Sequence, residues 1–471
     1  MAKHTTRRGE KRRRQSDVSP LMRTVSTYIA HAAKKPLPKT VTEATKHHLL
    51  DTLASIVSGA SLLPGKVTIA YLKTQGGTPE ACVPGSRIVT TATNAAFGSG
   101  MLAHADETDD SHAPSLVHPG CGIIPGALAM AERSGAGGTA LLRATALGYD
   151  ICTRMSKSLG AYNFFHSGFC THSFATLFGA AAAAGSLAGL NATKVRHLLS
   201  YAAQSASGIS YLLRDTQHIE KSYDHGGKSA RDAVAAATMV ETGFTGVDDA
   251  FSGDKNFYFA FSKHAQPDLL VQGLGETYEV VNTGIKRWTT GSPTQAVLDS
   301  LSELIKTHKV MAADVEKVAI RVYQFGFGVV NNRDLPNICM QHLAAIMLID
   351  GTVTFESSHD VKRMKDPKVI ELRRRVEFYG DDELQRAYRA PVPSRQAIVE
   401  LRLRDGRTLY HHTKAVRGST QNPMSRQDVD DKCFALFAPM LGRKRARKLI
   451  DTVWNIERVR NVRTLRPLLI A

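Results

Sequence analysis

The stretch His104-Ala-Asp-Glu-Thr-Asp-Asp-Ser-His112-Ala-Pro-Ser-Leu-Val-His118-Pro-Gly120 decides how the rest of the chain is interpreted. It holds three histidines and four carboxylates within fifteen residues, and its few apolar positions follow neither helical nor strand periodicity. Its prolines and glycine predict a loop. Ionisable side chains on a loop between packed helices are typical of a reaction site, because a rigid scaffold can hold them in place.

Residue types alone leave three interpretations of this loop. It could be a metal site, since His, Asp and Glu are common ligands, although the sequence has neither an HExxH motif nor a calcium-loop pattern. It could be a metal-free acid–base site, in which adjacent carboxylates perturb each other's pKa values and histidine transfers protons. It could also be a solvated charged loop. Signatures of serine hydrolases, P-loops and dinucleotide-binding folds are absent from the sequence.

Helical patterns lie on both sides of the loop. Thr40-x-x-Glu43 has the form of a capping box and predicts the start of a helix that ends near Gly59. Small residues between about 174 and 190 predict a tightly packed internal helix. Apolar residues at helical spacing predict further helices over 126–133, 140–155, 194–206 and 230–242.

The pattern changes to strand in the second half of the chain. Val315–Tyr323 alternates and predicts a strand, and the segments on either side of Asp405-Gly406 predict a hairpin. Ser425-x-x-Asp428 then predicts the start of a helix. The predicted fold is therefore mainly α with an inserted α+β domain, in which both chain ends build one large helical domain and the insertion forms a smaller lid. The chain is predicted to divide into a disordered basic tail (residues 1–20), a helical domain (residues 21–277 and 425–471) and an α+β lid domain (residues 278–424).

Composition excludes several classes of protein. The 471 residues are 43% hydrophobic and 22% charged, which is typical of a folded chain with more than one domain. The sequence has no apolar run long enough to predict a membrane span, and no signal peptide is recognisable. We therefore expect a cytoplasmic protein. The six cysteines include no C-x-x-C pair, which favours reduced thiols. The net charge of +17 concentrates in residues 1–20 and 443–448, so nucleic-acid binding is a less favoured alternative to solvated basic segments.

The loop resembles that of the MmgE/PrpD family, which has the form H-A-x-D-F/Y-D-D-T-H followed by H-P. Here it stands as His104-Ala-Asp-Glu107-Thr-Asp-Asp-Ser111-His112, with His118-Pro119 behind it. The similarity continues through most of the chain after the tail. It includes the segments Leu49-Leu-Asp-Thr-Leu53, Gly148-Tyr-Asp150, Phe178-Gly-Ala-Ala-Ala-Ala183 and Gly418 to Pro423.

The resemblance implies a set of site residues. The family's catalytic Asp falls on Glu107 and its Thr on Ser111; its loop His matches His118, and a further active-site His matches His172, with His166 as a competitor. The carboxylate-binding Lys matches Lys221, and the His that usually follows it is replaced by Asp224. The resemblance thus implies catalytic roles for His118, His172, Lys221 and Glu107, and substrate binding by His104, Ser111, His112, Lys221, Gln295 (in place of a lid His) and His342 (in place of a lid Tyr).

The resemblance also implies the chemistry. Family members act on small di- or tricarboxylic acids, so we expect a lyase, a dehydratase or a decarboxylase, that removes a proton or CO2 next to a carboxylate without a metal or other cofactor. An epimerase that uses the same proton abstraction is the alternative. The resemblance implies a homodimer, with a small polycarboxylate as the ligand and no membrane partner. Which acid is the substrate is left open by the sequence.

Overall fold

The computed structural model describes residues 18–390 and 393–471. Most of the predicted basic tail, residues 1–20, therefore lies outside the described residues. The first helix begins at Pro20, where the fixed φ of proline suits the first helical position, and the Ser19 hydroxyl accepts a hydrogen bond from the backbone N–H of Met22 at 3.1 Å.

Helices build the first part of the chain, as predicted. They are joined by short turns and one two-stranded ribbon. In order the elements are α1 (Pro20–Ala32), α2 (Lys39–Gly59), α3 (Leu63–Leu72), β1 (Ala81–Cys82), β2 (Val89–Thr90), α4 (Ala92–Ala103), α5 (Gly120–Ser134), α6 (Gly138–Ser158), α7 (Ala161–His166), α8 (Thr171–Leu187), α9 (Ala192–Ser205), α10 (Ile219–Ser222), a π-helical turn (Tyr223–Gly227), α11 (Lys228–Glu241) and α12 (Phe257–Phe261).

The second part combines helices with a mixed four-stranded sheet. The strand order is β4-β3-β5-β6, with β3 parallel to β4 and antiparallel to β5, and β5 antiparallel to β6. The elements are α13 (Gln295–His308), β3 (Val315–Tyr323), α14 (Gln324–Val330), α15 (Met340–Asp350), α16 (Phe355–His359), α17 (Pro367–Arg374), β4 (Val376–Asp381), α18 (Asp382–Tyr388), β5 (Ala397–Leu403), β6 (Thr408–Thr413), α19 (Arg426–Leu441), α20 (Arg443–Trp454) and α21 (Arg466–Leu469).

Local sequence signals gave most of these boundaries. The predicted strand and hairpin are present, with Gly406 at φ +90° in the turn. The predicted capping box at Ser425 is confirmed. The capping box predicted at Thr40 is wrong, because α2 already begins at Lys39 behind Pro38 and has no side-chain cap.

Buried apolar side chains form two clusters. One draws on residues 22–285 and 424–469, and therefore on both ends of the chain. The other lies within residues 288–409 and packs the mixed sheet against its helices. The mainly helical character is confirmed, whereas the domain limits at 278 and 424 stay a prediction. For convenience we call residues 288–409 the sheet region.

The small-residue helix α8 packs at the centre of the first cluster, with residues 171–185 buried. Within residues 18–390 and 393–471, no single helix is both long and apolar enough to cross a membrane. Helices α2 and α3 meet that criterion only when they are taken together, and they are bent by 81° at their junction.

Candidate active site

The charged loop between α4 and α5 is buried. Each of the five residues from Asp106 to Asp110 is at most 4% exposed. The interpretation as a solvated charged loop is therefore wrong. Burial of four carboxylates in one segment requires hydrogen-bond donors and cations around it, because an unpaired buried charge is costly.

Two of the carboxylates hold the loop in place. Asp110 accepts hydrogen bonds from the Gly120 backbone N–H at 3.0 Å and from the Tyr149 hydroxyl, and its other neighbour is His48 Nδ1 at 2.9 Å. These contacts tie the loop to the start of α5, to α6 and to α2. Asp106 lies 3.0 Å from Nε2 of His359, which connects the loop to the sheet region. Both groups stay ionised, because these contacts hold their pKa values below the ordinary one despite burial.

Glu107 is the centre of a charge cluster. Its Oε1 pairs with the Lys221 ammonium and lies 3.1 Å from His218 Nε2. The Lys286 ammonium donates a hydrogen bond to the Glu107 carbonyl at 2.7 Å. Burial alone would raise the pKa of Glu107, but the two lysines and His218 hold it well below its usual range. Glu107 is therefore a carboxylate that accepts hydrogen bonds.

Asp109 has a different environment. It lies 2.9 Å from His104 Nδ1 and 3.3 Å from the Lys286 ammonium. Burial, together with the neighbouring negative charges of Asp110, Glu107 and Asp106, raises its pKa to about 7, against the opposing charge of Lys286. This carboxyl group can therefore change protonation state near neutral pH.

Three imidazoles stack beside this charge cluster. The ring centroids of His118 and His172 are 4.9 Å apart, and those of His172 and His225 are 3.9 Å apart. Burial and nearby cationic or histidine groups hold all three pKa values well below the ordinary one, so the rings are neutral at pH 7. His118 Nδ1 donates to the carbonyl of Asp110, which leaves its Nε2 as a proton acceptor.

Two glycines allow the segments that carry His104 and His225 to approach each other closely. A Cβ on Gly100 would lie 2.5 Å from the Gly226 carbonyl oxygen, and a Cβ on Gly226 would collide with the Gly100 carbonyl. Helix α4 can therefore approach the π-helical turn closely enough for the His104 and His225 rings to stack with centroids 4.7 Å apart. A π-helical turn is frequent at functional sites, and here it places Lys221 and His225 on the same cavity.

A cavity of about 180 Å³ lies between these groups and the sheet region. A second cavity of about 390 Å³ lies beside it and shares Ser111, Ser292 and Arg395 with it. Only the smaller cavity is lined by the three stacked imidazoles, so we take it as the candidate active site. Its polar lining consists of Glu107, Ser111, His118, Cys170, His172, Ser210, Asp215, His218, Lys221, His225, Ser292, Tyr323, Arg333, Tyr388 and Arg395.

Five of the predicted site residues line this cavity: His118, His172, Lys221, Glu107 and Ser111. The competing His166 is exposed on α7 and is not part of the lining. His104 lies beneath the cavity, fully buried, and contacts Asp109 and the His225 ring.

Three predicted substrate-binding residues do not line this cavity, although His112 and Gln295 line the second cavity beside it. His112 uses both ring nitrogens, on Ser115 Oγ at 2.7 Å and Glu279 Oε2 at 3.2 Å. The Gln295 amide oxygen accepts a hydrogen bond from the Trp288 backbone N–H, and its NH2 group donates to the carbonyls of Trp288 and Thr290. His342 is fully buried on α15 with neither ring nitrogen hydrogen-bonded, and it lines neither cavity.

Sequence reasoning missed four site residues. His225 directly follows Asp224, the residue that the resemblance aligns with the family His, and the π-helical turn brings its ring to the cavity. Lys286 and Arg395 come from segments without periodicity, and only the tertiary structure brings them to the loop. His218, at φ +62°, immediately precedes the short helix that carries Lys221.

Metal-ligand groupings occur within the described residues. The donor atoms of Cys170, His172 and His225 lie within 4.8 Å of one another. Two further sets combine His104 with Asp109 and Cys121, or with Glu107 and His218, but several of these donors are already hydrogen-bonded to each other or to lysine. The first set is the one whose chemistry would suit a soft divalent ion such as zinc.

A mostly helical chain with buried imidazoles and lysines beneath a mixed-sheet region is an arrangement suited to acid–base chemistry. Comparison with known families makes this specific. The MmgE/PrpD N-terminal domain matches residues 23–270 and the MmgE/PrpD C-terminal domain matches residues 288–458. The chain belongs to the MmgE/PrpD family.

Two curated relatives are similar over most of their length. Human (Homo sapiens) cis-aconitate decarboxylase is 26% identical over 453 residues, which cover 91% of this chain and 90% of the relative. Mouse (Mus musculus) cis-aconitate decarboxylase is 24% identical over 398 residues, which cover 80% of this chain and 78% of the relative.

Proposed function

We infer that this protein is a lyase that acts on a small di- or tricarboxylic acid and breaks a bond next to a carboxylate. The observation that carries this proposal is the cavity itself, where three neutral imidazoles lie beside the Lys221 ammonium and the buried Glu107. Decarboxylation is the favoured reaction, because both curated relatives are named cis-aconitate decarboxylase.

Lys221 is the proposed anchor for one substrate carboxylate. Its ammonium already pairs with Glu107, and it keeps 16% of its side chain exposed, so a ligand in the cavity can share it. Glu107 would hold the ammonium in position. Lys286 lies behind the loop, and its charge adds to the positive potential that an anionic substrate meets.

His118 is the proposed proton-transfer group. With Nδ1 donating to the Asp110 carbonyl, the ring orientation is fixed and Nε2 can take or return a proton. When the C–CO2 bond breaks, its electron pair stays on the substrate carbon, which then needs one proton. His172 or His225, stacked beside His118, would deliver this proton after taking it up from solvent, since the negative charge of the bound substrate favours the imidazolium form. Fixed positive charge near the carbanion is often worth about 3–4 kcal/mol.

The test is turnover of defined acids followed by proton NMR in D2O. Cis-aconitate is tried first, then citrate, 2-methylcitrate and aspartate-derived acids. In a lyase reaction the substrate loses CO2 or gains a new alkene. In the alternative epimerase reaction the substrate only exchanges a proton for deuterium and inverts one stereocentre. Activity that persists with EDTA present would support a reaction without a metal ion.

The His118→Ala and Lys221→Ala variants connect activity to this cavity. We expect both to lose most of the turnover, because one removes the proton acceptor and the other the carboxylate anchor, and circular dichroism checks that each variant is folded. Arg404→Ala, on the exposed turn after β5, serves as the control. Turnover near the wild-type rate in both cavity variants would refute the site, and no reaction with any polycarboxylate would refute the function.

A further inference from the structure

Arg395 is a cavity cation whose charge is not balanced by a carboxylate among the described residues. It lies just before β5, and its side chain lines both cavities. One terminal NH2 group donates to Ser111 Oγ at 3.2 Å, and its Nε is buried without a hydrogen-bond partner. In contrast, Lys221 pairs with Glu107, and Lys286 lies 3.3 Å from an oxygen of Asp109.

The two tyrosines beside Arg395 are neutral. The rings of Tyr323 and Tyr388 stack with centroids 4.2 Å apart, and both line the cavity. Burial raises the pKa of each hydroxyl, and the Arg395 charge offsets only part of that effect. Neither tyrosine can therefore supply a negative charge at neutral pH. Arg395 is partly exposed, so an anion can reach it from the cavity, and its buried Nε–H is a donor that such an anion would satisfy.

We propose that Arg395 binds a second carboxylate of the substrate, opposite the carboxylate that Lys221 holds. This inference rests on the proposed function and names the residue that would make a second carboxylate a requirement for binding. A guanidinium suits this task, because its planar donors match a carboxylate in a bidentate pair. Ser111 Oγ orients the guanidinium from the loop side.

The proposal has a structural consequence. Lys221 belongs to the helical part of the chain and Arg395 to the sheet region, so a substrate with two carboxylates bridges them. A monocarboxylate can contact only one side. Arg395 is thus a specificity-determining residue, and the sheet region selects the substrate by charge.

The test measures binding, so that it does not depend on turnover. Tricarballylate, which has three carboxylates and neither a hydroxyl nor a double bond, is titrated calorimetrically into the wild type, Arg395→Ala, Arg395→Lys and the control Arg404→Ala. We expect Arg395→Ala to weaken binding about 10- to 100-fold. Arg395→Lys should restore part of the loss, and Arg404→Ala should bind like the wild type. Butyrate should bind equally weakly to all four.

The outcomes separate the two proposals. Wild-type affinity in folded Arg395→Ala overturns the role of Arg395, whatever the enzyme does to its substrates. Tricarballylate binding that depends on Arg395, together with no turnover of any acid, supports the subsite and overturns the lyase assignment. Absence of tricarballylate binding to the wild type overturns the Arg395 subsite, whereas the lyase assignment is decided by the turnover assay alone. If Arg395→Ala does not fold, the comparison of Arg395→Lys and Arg395→Gln with the wild type decides in the same way.

Discussion

Replacing Glu107 by Gln should destabilise the protein far more than removing an exposed carboxylate. Only 5% of the Glu107 side chain and 16% of the Lys221 side chain are exposed, so the ammonium that loses its partner stays largely out of water. Breaking a buried ion pair by removing one partner costs about 3–5 kcal/mol. The contact of Glu107 with His218 Nε2 at 3.1 Å adds to the loss, since that ring nitrogen also loses a charged partner.

A double-mutant cycle with Lys221→Met isolates the pair. Methionine replaces the lysine stem without its charge, so the double variant has no orphaned ion, and its loss of stability should be about 2 kcal/mol or more below the sum of the single losses. The assay is urea unfolding at pH 7, followed by circular dichroism and fluorescence. The matched control is the exposed Glu316–Arg402 pair, for which a coupling of about 0–1 kcal/mol is expected. Equal couplings in the two cycles would refute the buried ion pair.

Three further perturbations follow from the same structure. His118→Asn keeps a donor near the Nδ1 position but has no Nε2, so kcat should fall about 10²- to 10⁴-fold in a steady-state assay; a loss below tenfold would contradict its role in proton transfer. His342→Leu removes two buried ring nitrogens without partners and should raise the free energy of unfolding by about 1–3 kcal/mol at pH 7, with activity unchanged. Burial lowers the His342 pKa from 6.5 to about 4, so on acidification the unfolded chain binds the proton before the folded chain does. The difference in free energy of unfolding between the Leu variant and the wild type, measured in urea melts, should therefore grow by about 1.4 kcal/mol per pH unit as the pH falls from 6.5 toward 4. A difference that stays constant with pH, or a loss of activity, would contradict this. Gly100→Ala should cost about 1–3 kcal/mol and reduce turnover, because its Cβ would push α4 from the π-helical turn, whereas Gly76→Ala, with open space around it, should change neither.

Elements with strong local signals could be predicted from the sequence. The strand Val315–Tyr323 alternates with the period of a pleated backbone, and its residues Val318, Ile320 and Val322 are fully buried. The Ser425 capping box also needs only neighbouring residues to form. The start of α2 was missed at Thr40 because the N-cap position is Pro38, two residues before the capping signal.

The site was predictable where it lies in one segment. His118 and Glu107 stand in the charged loop, and similarity to the family pointed to His172 and Lys221 beyond it. Placement failed for His342, because a histidine on an apolar helix gives no signal of whether its ring faces a cavity or a core. The structure shows that ring in the core, with both nitrogens unpartnered.

The sequence by itself determined a mainly helical chain with a strand-containing insertion and a charged loop of unusual composition, because hydrophobic period and turn chemistry act over a few residues. Only the tertiary structure decided that the loop is buried and which cations enclose it. Lys286 and Arg395 reach it from positions 179 and 284 residues away, by packing that no local pattern records. The close approach of Gly100 and Gly226, which stacks His104 on His225, depends in the same way on two helices meeting in space.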